Sequence, residues 1–414
     1  ARPAPARPAA PPPRAPPAAP PPAPPPPEPS PWLLLSAASA PSLARLAAAW
    51  AERLAPLSPA ERAPLAAAAA RRSEFAHRLA VPLATAPAAL NDHAAGRPTP
   101  ALLGKAAFAR ARTVFAFSGN GAQSAGMGRA AYAADPAFRA TFDAIAAAFA
   151  AEGVADLARL LDAPDLQTRL ASPLVAQPLL VACQIAQAES LIAAGLAPEA
   201  VVGHSVGELS ALHVAGVLSR AGLARVVASR SRAFEALRGT GTMATLALGE
   251  AEARRALAGL GDDRLVIATV NSPRSVTVSG PAEAIERLAR VTVGGRPIAL
   301  VRLGLEVPYH SPALEPLRAR FLEDLAGLAF APARLPVAGA AVGRMLRQGE
   351  ADADYLWKNT RDPVRFADAV AALAAEGPVQ AVEISPRPIL GRALRDIAQL
   401  GGLPVAHFAP PAAA

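Results

Sequence analysis

AVVGHSVGELSALHVAGVL, residues 200–218, joins a short apolar run to a glycine-containing turn and then to a helical segment. AVVGH predicts a strand and GELSALHVAGVL a helix, which places Gly203-His204-Ser205-Val206-Gly207 at the turn. G-x-S-x-G between a strand and a helix is typical of a nucleophile elbow, in which a tight turn exposes the serine oxygen. The first amides of the helix can stabilise an anionic oxygen there. Ser205 is therefore the candidate nucleophile.

Strands and helices alternate on both sides of this elbow, which predicts an α/β fold with a parallel sheet. TVFAFSG (113–119) is a strand, and a long helix covers 173–195. Between 240 and 303 the order becomes β-α-β-β-α-β, which is typical of a ferredoxin-like subdomain. After it we expect a helix over 312–328, a strand over 335–342, a helix near 363–375 and a strand over 380–385. The sequence thus predicts a hydrolase-like parallel-sheet core with an inserted ferredoxin-like subdomain.

Composition divides the chain into four segments. Residues 1–31 are rich in proline and alanine and predict an extended linker. Residues 32–111 contain two amphipathic helical patterns and a strand near 74–81, which predicts a small α/β linker domain. Residues 112–400 form the main domain, and 401–414 are expected to be a C-terminal tail. The proline-rich start and alanine-rich end suggest a fragment of a longer chain.

Composition also excludes several functional classes. Charged residues interrupt the apolar runs before they reach bilayer length, and prolines occupy the start, so neither a membrane span nor a signal peptide is predicted. The single cysteine, Cys183, excludes an internal disulfide and indicates a reducing, cytoplasmic environment. The net charge of +8 comes from scattered arginines, which favours an acidic protein partner over nucleic acid. No metal site is predicted.

A serine hydroxyl needs a base, and the chain has six histidines. His310 lies in the loop VPYHSP before a predicted helix and is the best candidate. His204 precedes Ser205 and is expected to make a local structural contact, with its side chain directed away. The remaining histidines are His77, His93, His213 and His407. Glu306 and Glu315 flank His310, but a backbone carbonyl could equally orient the imidazole, so a Ser–His dyad is predicted with its orienting group open.

Two further features lie near this dyad in the predicted fold. The loop Gly119-Asn120-Gly121-Ala122-Gln123 follows a strand, but Ser124 stands where a dinucleotide motif needs glycine, so we expect its amides to complete an oxyanion hole. Arg230 lies 25 residues after Ser205 on an apolar helix face, where an unpaired charge is costly. Its partner is either a structural carboxylate or the carboxylate of a substrate, which a guanidinium fits well.

Together these motifs resemble the acyltransferase domains of modular type I polyketide synthases, which are related to malonyl-CoA:acyl-carrier-protein transacylase. The resemblance covers about 112–400 and rests on GNGAQSAGMG, AQP (176–178), GHSVGE, Arg230, VNSPRSVTVSG, VPYHSP and WKNTRDPVRFADAV. Residues 32–111 resemble the linker between the ketosynthase and acyltransferase domains. The resemblance implies an upstream ketosynthase domain and an acyl carrier protein as partners.

The resemblance also implies roles for individual residues. Ser205 would carry the acyl group, and His310 would act as general base and acid. The backbone amides of Asn120 and Val206 would form the oxyanion hole. Arg230 would bind a malonyl-type carboxylate.

Further implications concern the pocket and the substrates. Gln177 would line the pocket, and Asn271 matches a family asparagine without a defined role. No permanent cofactor is implied: malonyl-CoA or a related acyl-CoA is the donor, and the phosphopantetheine of the carrier protein is the acceptor.

Two positions depart from the family pattern. Asn120 replaces the usual glutamine of the first loop, which matters little where a backbone amide does the work. VPYH matches neither of the usual sets before the histidine. The bulk of Tyr309 and the apolar Val206 favour malonyl over methylmalonyl, because a ring there would overlap an α-methyl group. Pro308 could instead turn the loop so that a larger alkylmalonyl or starter unit fits.

Two other functions share some of these features. A lipase- or esterase-like hydrolase would use the same elbow, but it predicts an acid between serine and histidine and gives no reason for Arg230. A catalytically silent scaffold that docks a carrier protein would have no need of Ser205, His310 and Arg230. Transfer of a malonyl group through acyl-Ser205 is therefore the favoured hypothesis.

Overall fold

The computed structural model describes residues 32–409, and these form two compact units with the boundary between residues 109 and 110. The linker predicted over 1–31 lies outside the described residues. The first unit contains β1 (Trp32–Ala37), α1 (Ala40–Leu54), α2 (Pro59–Ala69), β2 (His77–Pro82), α3 (Ala86–Ala94) and β3 (Leu102–Lys105).

The first unit is a three-stranded antiparallel sheet, in the order β1-β2-β3, with three helices. Helices α1 and α2 begin where the sequence offers a cap: Ser39 caps α1, and Ser58 with Glu61 forms a capping box on α2. Strand β1 was not predicted. Its alternating burial shows why it forms, since Leu33, Leu35 and Ala37 enter the core while Trp32 and Leu34 are exposed.

The second unit is larger. In chain order it contains β4 (Arg112–Phe117), α4 (Arg129–Ala134), α5 (Pro136–Ala151), α6 (Leu157–Leu161), α7 (Leu166–Arg169), α8 (Pro173–Ala193), β5 (Ala200–Gly203), α9 (Val206–Val214), α10 (Arg220–Glu235), β6 (Thr242–Leu246), α11 (Glu250–Leu260), β7 (Val266–Ser272), β8 (Ser275–Gly280), α12 (Ala282–Leu288), β9 (Thr292–Val293), β10 (Arg296–Pro297), β11 (Leu300–Arg302), a 3-10 helix (Pro312–Leu317), α13 (Arg318–Asp324), β12 (Val337–Gly339), β13 (Arg344–Met345), α14 (Ala353–Arg361), α15 (Phe366–Ala375), β14 (Val379–Ile384), α16 (Gly391–Gly401) and β15 (Val405–Phe408).

The main sheet has six strands in the order β13-β12-β5-β4-β14-β15, all parallel except the short edge strand β13. Strands β4 and β5 are continuous apolar runs because both faces of a central parallel strand are covered. Phe117 and Gly203 are paired at the ends of these strands. The loop after β4 and the elbow after β5 therefore emerge side by side.

A second, antiparallel sheet of four strands, in the order β11-β6-β8-β7, lies between α10 and the 3-10 helix in the sequence. The chain order is the predicted β-α-β-β-α-β, with the small hairpin β9-β10 added before the last strand. Two ion pairs join this small subdomain to the rest of the unit. Arg274 contacts Asp396 at 2.5 Å, and Arg365 contacts Glu250 at 3.1 Å.

The segment after the small subdomain differs from the prediction in several places. The helix expected over 312–328 is divided into a 3-10 helix and α13, because Pro316 has no amide for an α-helical ladder. The strand expected over 335–342 is only Val337–Gly339, and α14 was not predicted. The tail expected over 401–414 was wrong in its first part, since β15 pairs with β14 and completes the sheet.

Helix α8 is the one helix among residues 32–409 that is long and apolar enough to cross a bilayer. Its most apolar window is 67% buried inside the protein. The helix carries two buried glutamines: Gln184 donates to the backbone carbonyl oxygen of Ser118, after β4, and Gln177 accepts from Arg230 on α10. Its apolar composition is accounted for by packing between α5, α9 and α10.

Candidate active site

The sharp turn at Ser205 depends on its backbone conformation and on two glycines that lie against neighbouring backbone atoms. Ser205 has φ +55° and ψ −117°, a sparsely populated conformation for a residue with a side chain. A Cβ on Gly203 would lie 2.2 Å from the amide nitrogen of Glu208, and one on Gly207 would lie 2.4 Å from the carbonyl oxygen of Phe117. Only glycine fits at these two positions, so the motif places the Ser205 hydroxyl at the strand–helix junction.

Ser205 and His310 meet directly in the structure. Ser205 Oγ lies 2.7 Å from His310 Nε2, and His310 Nδ1 lies 3.1 Å from the backbone carbonyl oxygen of Asp362. A proton on Nδ1, donated to that carbonyl, leaves Nε2 free to accept from the serine. The orienting group is therefore a carbonyl. The two flanking carboxylates, Glu306 and Glu315, pair with arginines elsewhere.

Burial lowers the pKa of His310 well below its ordinary value, and the positive charge of Arg230 lowers this pKa further. The imidazole is consequently neutral at pH 7. A neutral imidazole beside a serine hydroxyl can accept the serine proton when the oxygen attacks a carbonyl carbon.

Arg230 comes from α10 and is fully buried beside the nucleophile. One terminal nitrogen donates to Ser205 Oγ at 2.8 Å, and the other donates to Gln177 Oε1 at 3.0 Å. The guanidinium also lies over the ring of Phe234, 4.7 Å from its centroid. Within the described residues Arg230 forms no ion pair, and neither its Nε nor Gln177 Nε2 has a hydrogen-bond partner. Burial lowers the pKa of Arg230 to about 9. This cation has unused donors and no anion.

Asn120 belongs to the loop after β4, and Val206 follows Ser205 in the elbow after β5, and these two segments emerge side by side. Val206 is the first residue of α9, so its amide lies outside the intrahelical ladder. Asn120 is held in its loop by Gln123, whose Nε2 donates to Asn120 Oδ1 at 3.1 Å and whose Oε1 accepts from the amide of Gly121 at 2.8 Å. These contacts fix the loop beside the elbow, so the amides of both residues could stabilise an oxyanion.

A cleft of about 350 Å³ opens above Ser205, between the main sheet and the small subdomain. Tyr309 lines it and is nearly buried, with its ring edge-to-face against Phe234 at 4.5 Å between centroids. The wall from the small subdomain carries short polar side chains and methionine: Met243, Thr245, Thr269, Asn271, Ser275 and Thr277. The Ser205–His310 dyad thus lies in the lining of the cleft, together with the charged residues Arg392 and Asp396. Arg230 and Gln177 do not line the cleft as it stands; Arg230 is buried and meets the site through Ser205 Oγ.

His204 also lines the cleft, so the expectation that its side chain turns away from it was wrong. Its Nε2 lies 2.9 Å from Asn271 Oδ1, and Asn271 Nδ2 donates to Thr277 Oγ1 at 3.1 Å. Burial lowers the pKa of His204. The residue before the nucleophile thus connects the elbow to the small subdomain, and Asn271 holds that connection.

The sequence missed a buried polar cluster directly behind the nucleophile: Glu208, Tyr355 and Asn359. The Glu208 carboxylate accepts hydrogen bonds from Tyr355 Oη, from Asn359 Nδ2 at 2.8 Å and from the Ala341 amide at 3.2 Å. Burial raises the pKa of Glu208 to about 7. A carboxylate in the otherwise apolar start of helix α9 was the available signal, because a buried charge requires partners. Between residues 32 and 409 no cluster of side chains is arranged to hold a metal ion.

Comparison with known proteins identifies the family to which this fold belongs. Residues 114–411 match the family model described as the acyl transferase domain. The chain belongs to that family. This acyltransferase is 38% identical to the spectinabilin polyketide synthase system protein NorA' of Streptomyces orinoci over 87% of this chain, but over only 10% of that relative. The chain therefore spans about a tenth of the curated relative that it matches.

Two solved structures extend the comparison. The acyltransferase domain from module 8 of the salinomycin polyketide synthase superposes with a TM-score of 0.83 at 33% identity, over 91% of this chain and 90% of that one. A malonyl CoA-acyl carrier protein transacylase from Burkholderia pseudomallei gives a TM-score of 0.62 at 26% identity, over 70% of this chain and 99% of that one. The acyltransferase is thus a domain of the modular polyketide synthase type, homologous to free-standing transacylases.

Proposed function

We propose that this acyltransferase moves a carboxylated acyl group from coenzyme A to the phosphopantetheine thiol of an acyl carrier protein, through an ester on Ser205. The observation that carries the proposal is Arg230. A fully buried guanidinium with unused donors, 2.8 Å from the nucleophile, lacks the anion that its burial requires. A carboxylate on the acyl group would supply that anion next to the reacting carbon.

The chemistry follows from the hydrogen bonds. Ser205 Oγ attacks the thioester carbonyl while its proton passes to His310 Nε2, and the amides of Asn120 and Val206 stabilise the oxyanion. The tetrahedral intermediate expels the coenzyme A thiolate, which takes the proton from His310. The carrier thiol then gives its proton to His310 and attacks the ester, and Ser205 Oγ regains that proton as it leaves. No permanent cofactor is needed for either half-reaction.

The carboxylate requirement separates this function from that of a lipase- or esterase-like hydrolase. A hydrolase that acts on neutral acyl groups has no use for a buried, unpaired cation beside its nucleophile, because such an acyl group brings no anion to pair with it. Gln177 Nε2, which has no partner, adds a second donor for the same carboxylate. The name of the Burkholderia relative supports malonyl-CoA and an acyl carrier protein as the donor and acceptor.

We infer that malonyl is preferred over methylmalonyl. Tyr309 lies in the wall of the cleft with its ring fixed against Phe234, so it cannot swing freely to admit a branch at the α-carbon. A larger alkylmalonyl or starter unit is the alternative. It requires the Tyr309 ring to leave that contact.

The same proposal covers the remaining parts of the chain. The small subdomain is inferred to be ferredoxin-like, because its strands lie in the order fourth, first, third, second. The main sheet is inferred to be hydrolase-like, with the elbow at the carboxyl end of β5. Residues 32–111 are inferred to be the linker that follows a ketosynthase domain.

Intact mass spectrometry after mixing with a panel of acyl-CoAs tests this function. Malonyl-CoA should add one malonyl mass, and Ser205→Ala should abolish the adduct. His310→Ala should keep the adduct but form it roughly 10²–10⁴-fold more slowly, the usual effect of losing general acid–base catalysis. An adduct that persists in Ser205→Ala would show that another residue carries the acyl group.

A further inference from the structure

The segment WKNTRD contributes two contacts to the active site from one end of one helix. Asn359, in the last turn of α14, donates from Nδ2 to the backbone carbonyl oxygen of Ser205 at 3.1 Å. Asp362, which caps α14, accepts from His310 Nδ1 through its own carbonyl at 3.1 Å. Two residues on a single helix end therefore contact both members of the dyad.

Ser205 needs such support because its backbone is strained. A non-glycine residue in this conformation persists only where its surroundings determine it. The Ser205 carbonyl oxygen accepts from the Glu208 amide at 3.0 Å and from Asn359 at 3.1 Å. The Glu208 bond belongs to the turn itself, so Asn359 is the contribution from outside the elbow.

Asn359 is itself held by a buried carboxylate. Its Nδ2 shares a second bond with Glu208 Oε2 at 2.8 Å, and Tyr355 and the Ala341 amide donate to the same carboxylate. All three side chains are buried. A hydrogen bond to this carboxyl group in such an environment fixes the amide in one orientation, because no bulk water competes for either partner.

We propose that Asn359 is a positioning residue for acyl transfer: anchored by Glu208, it holds the Ser205 backbone so that Oγ stays in line with His310 and Arg230. This inference rests on the proposed function, since it assumes that Ser205 carries the acyl group. The Asn359 side chain is buried and directs its donor to the Ser205 backbone carbonyl and to Glu208. It acts on the rate of transfer through Ser205 and does not touch the substrate.

Asn359→Ala tests the proposal, with Tyr355→Phe as the matched control. Both variants remove one donor from Glu208, but only Asn359→Ala also frees the Ser205 carbonyl. We expect Asn359→Ala to lower kcat for malonyl transfer roughly 10²-fold with KM unchanged, the scale of a misplaced reacting group. Tyr355→Phe should lose thermal stability to a similar extent and keep a kcat close to that of the unmodified chain.

A fluorophosphonate that reacts with activated serines gives a second readout independent of the substrate. Asn359→Ala should react more slowly than Tyr355→Phe at equal folded fraction. Asn359→Leu, which fills the same space without a donor, should behave like Asn359→Ala. Equal kcat in Asn359→Ala and Tyr355→Phe would overturn the proposal, and so would failure of both Asn359 variants to fold, since the residue would then be structural.

The two proposals fail in different ways. If the unmodified chain reacts with the fluorophosphonate at Ser205 but forms no malonyl adduct, the proposed function is wrong. If the adduct forms normally in the unmodified chain and at the same rate in Asn359→Ala, only the positioning role is wrong.

Discussion

The two units each bury an arginine, and they do so differently. Arg62, in the first unit, is 9% exposed and donates to the carbonyl oxygens of Leu54 at 3.1 Å, Leu83 at 3.0 Å and Ala84 at 3.3 Å. Arg230, in the second unit, is 0% exposed and leaves its Nε without a partner. Backbone carbonyl oxygens accept the hydrogen bonds of the Arg62 guanidinium, whereas the Arg230 guanidinium has an N–H donor without an acceptor.

The difference separates a structural arginine from a binding arginine. Burial is the same in kind at both positions, so burial alone does not mark a site. A fully buried cation that has unused donors and no ion pair is the more specific signal, because buried donors are normally completed by an acceptor from the protein, a ligand or water. In this acyltransferase Arg230, the arginine with unused donors, is also the one that contacts the nucleophile Ser205.

The sharpest test of this comparison is Arg230→Ala. Malonyl transfer should lose about 3–5 kcal/mol of transition-state stabilisation, a rate decrease of roughly 10²–10⁴-fold, because the substrate carboxylate loses its partner in a dry pocket. Acetyl transfer should fall less, so the malonyl-to-acetyl ratio from competition experiments is the measurement. Equal losses for both acyl groups would make Arg230 structural, like Arg62.

Arg62→Ala is the counterpart in the first unit. Removing it leaves buried carbonyls without donors, and we expect a loss of about 1.5–3 kcal/mol in the free energy of unfolding, measured by denaturant titration. Malonyl transfer at equal folded fraction should be unchanged. Arg230→Ala should destabilise less, since its charge has no partner to lose. A larger loss of stability in Arg230→Ala than in Arg62→Ala would contradict this comparison.

Tyr309 tests the shape of the pocket beside Arg230. The unmodified chain should prefer malonyl-CoA over methylmalonyl-CoA, and Tyr309→Ser should reduce that preference by about 1–3 kcal/mol because the ring no longer overlaps the methyl group. Tyr309→Phe keeps the ring and should keep the preference. If the unmodified chain uses branched substrates equally well, the malonyl assignment fails.

The smallest effect concerns pH. His310 must be neutral to accept the serine proton, and its lowered pKa means that transfer should persist below the usual histidine range and decline only in more acidic solution. Arg230 contributes to that lowering, so Arg230→Ala should move the acid limb of kcat for acetyl transfer to higher pH. An unchanged acid limb would show that burial alone sets the pKa.

Protonation also links His310 to stability. Its pKa in the unfolded chain has the ordinary value near 6.5, and the folded value lies below it. Its contribution to stability is therefore present above about pH 6.5 and is lost as the pH falls below that range.

Much of the site could be predicted because its residues are tied to local patterns. The elbow needs glycines at 203 and 207 for steric reasons, and that requirement is visible in the sequence. His310 could be identified as the base by elimination among the six histidines of the sequence. The C-terminal strand β15 could not be predicted in the same way, because four residues, VAHF, carry too weak a pattern and form a strand only by pairing with β14.

The sequence by itself determined the α/β order, the elbow and the acyltransferase family, because these depend on periodicity and on residues close together in the chain. Only the tertiary structure decided that a carbonyl orients His310, that Arg230 lacks an anion, and that Asn359 reaches Ser205 across 154 positions. The physical reason is that hydrogen-bond satisfaction depends on every group within about 3 Å, and the chain brings those groups together from distant segments.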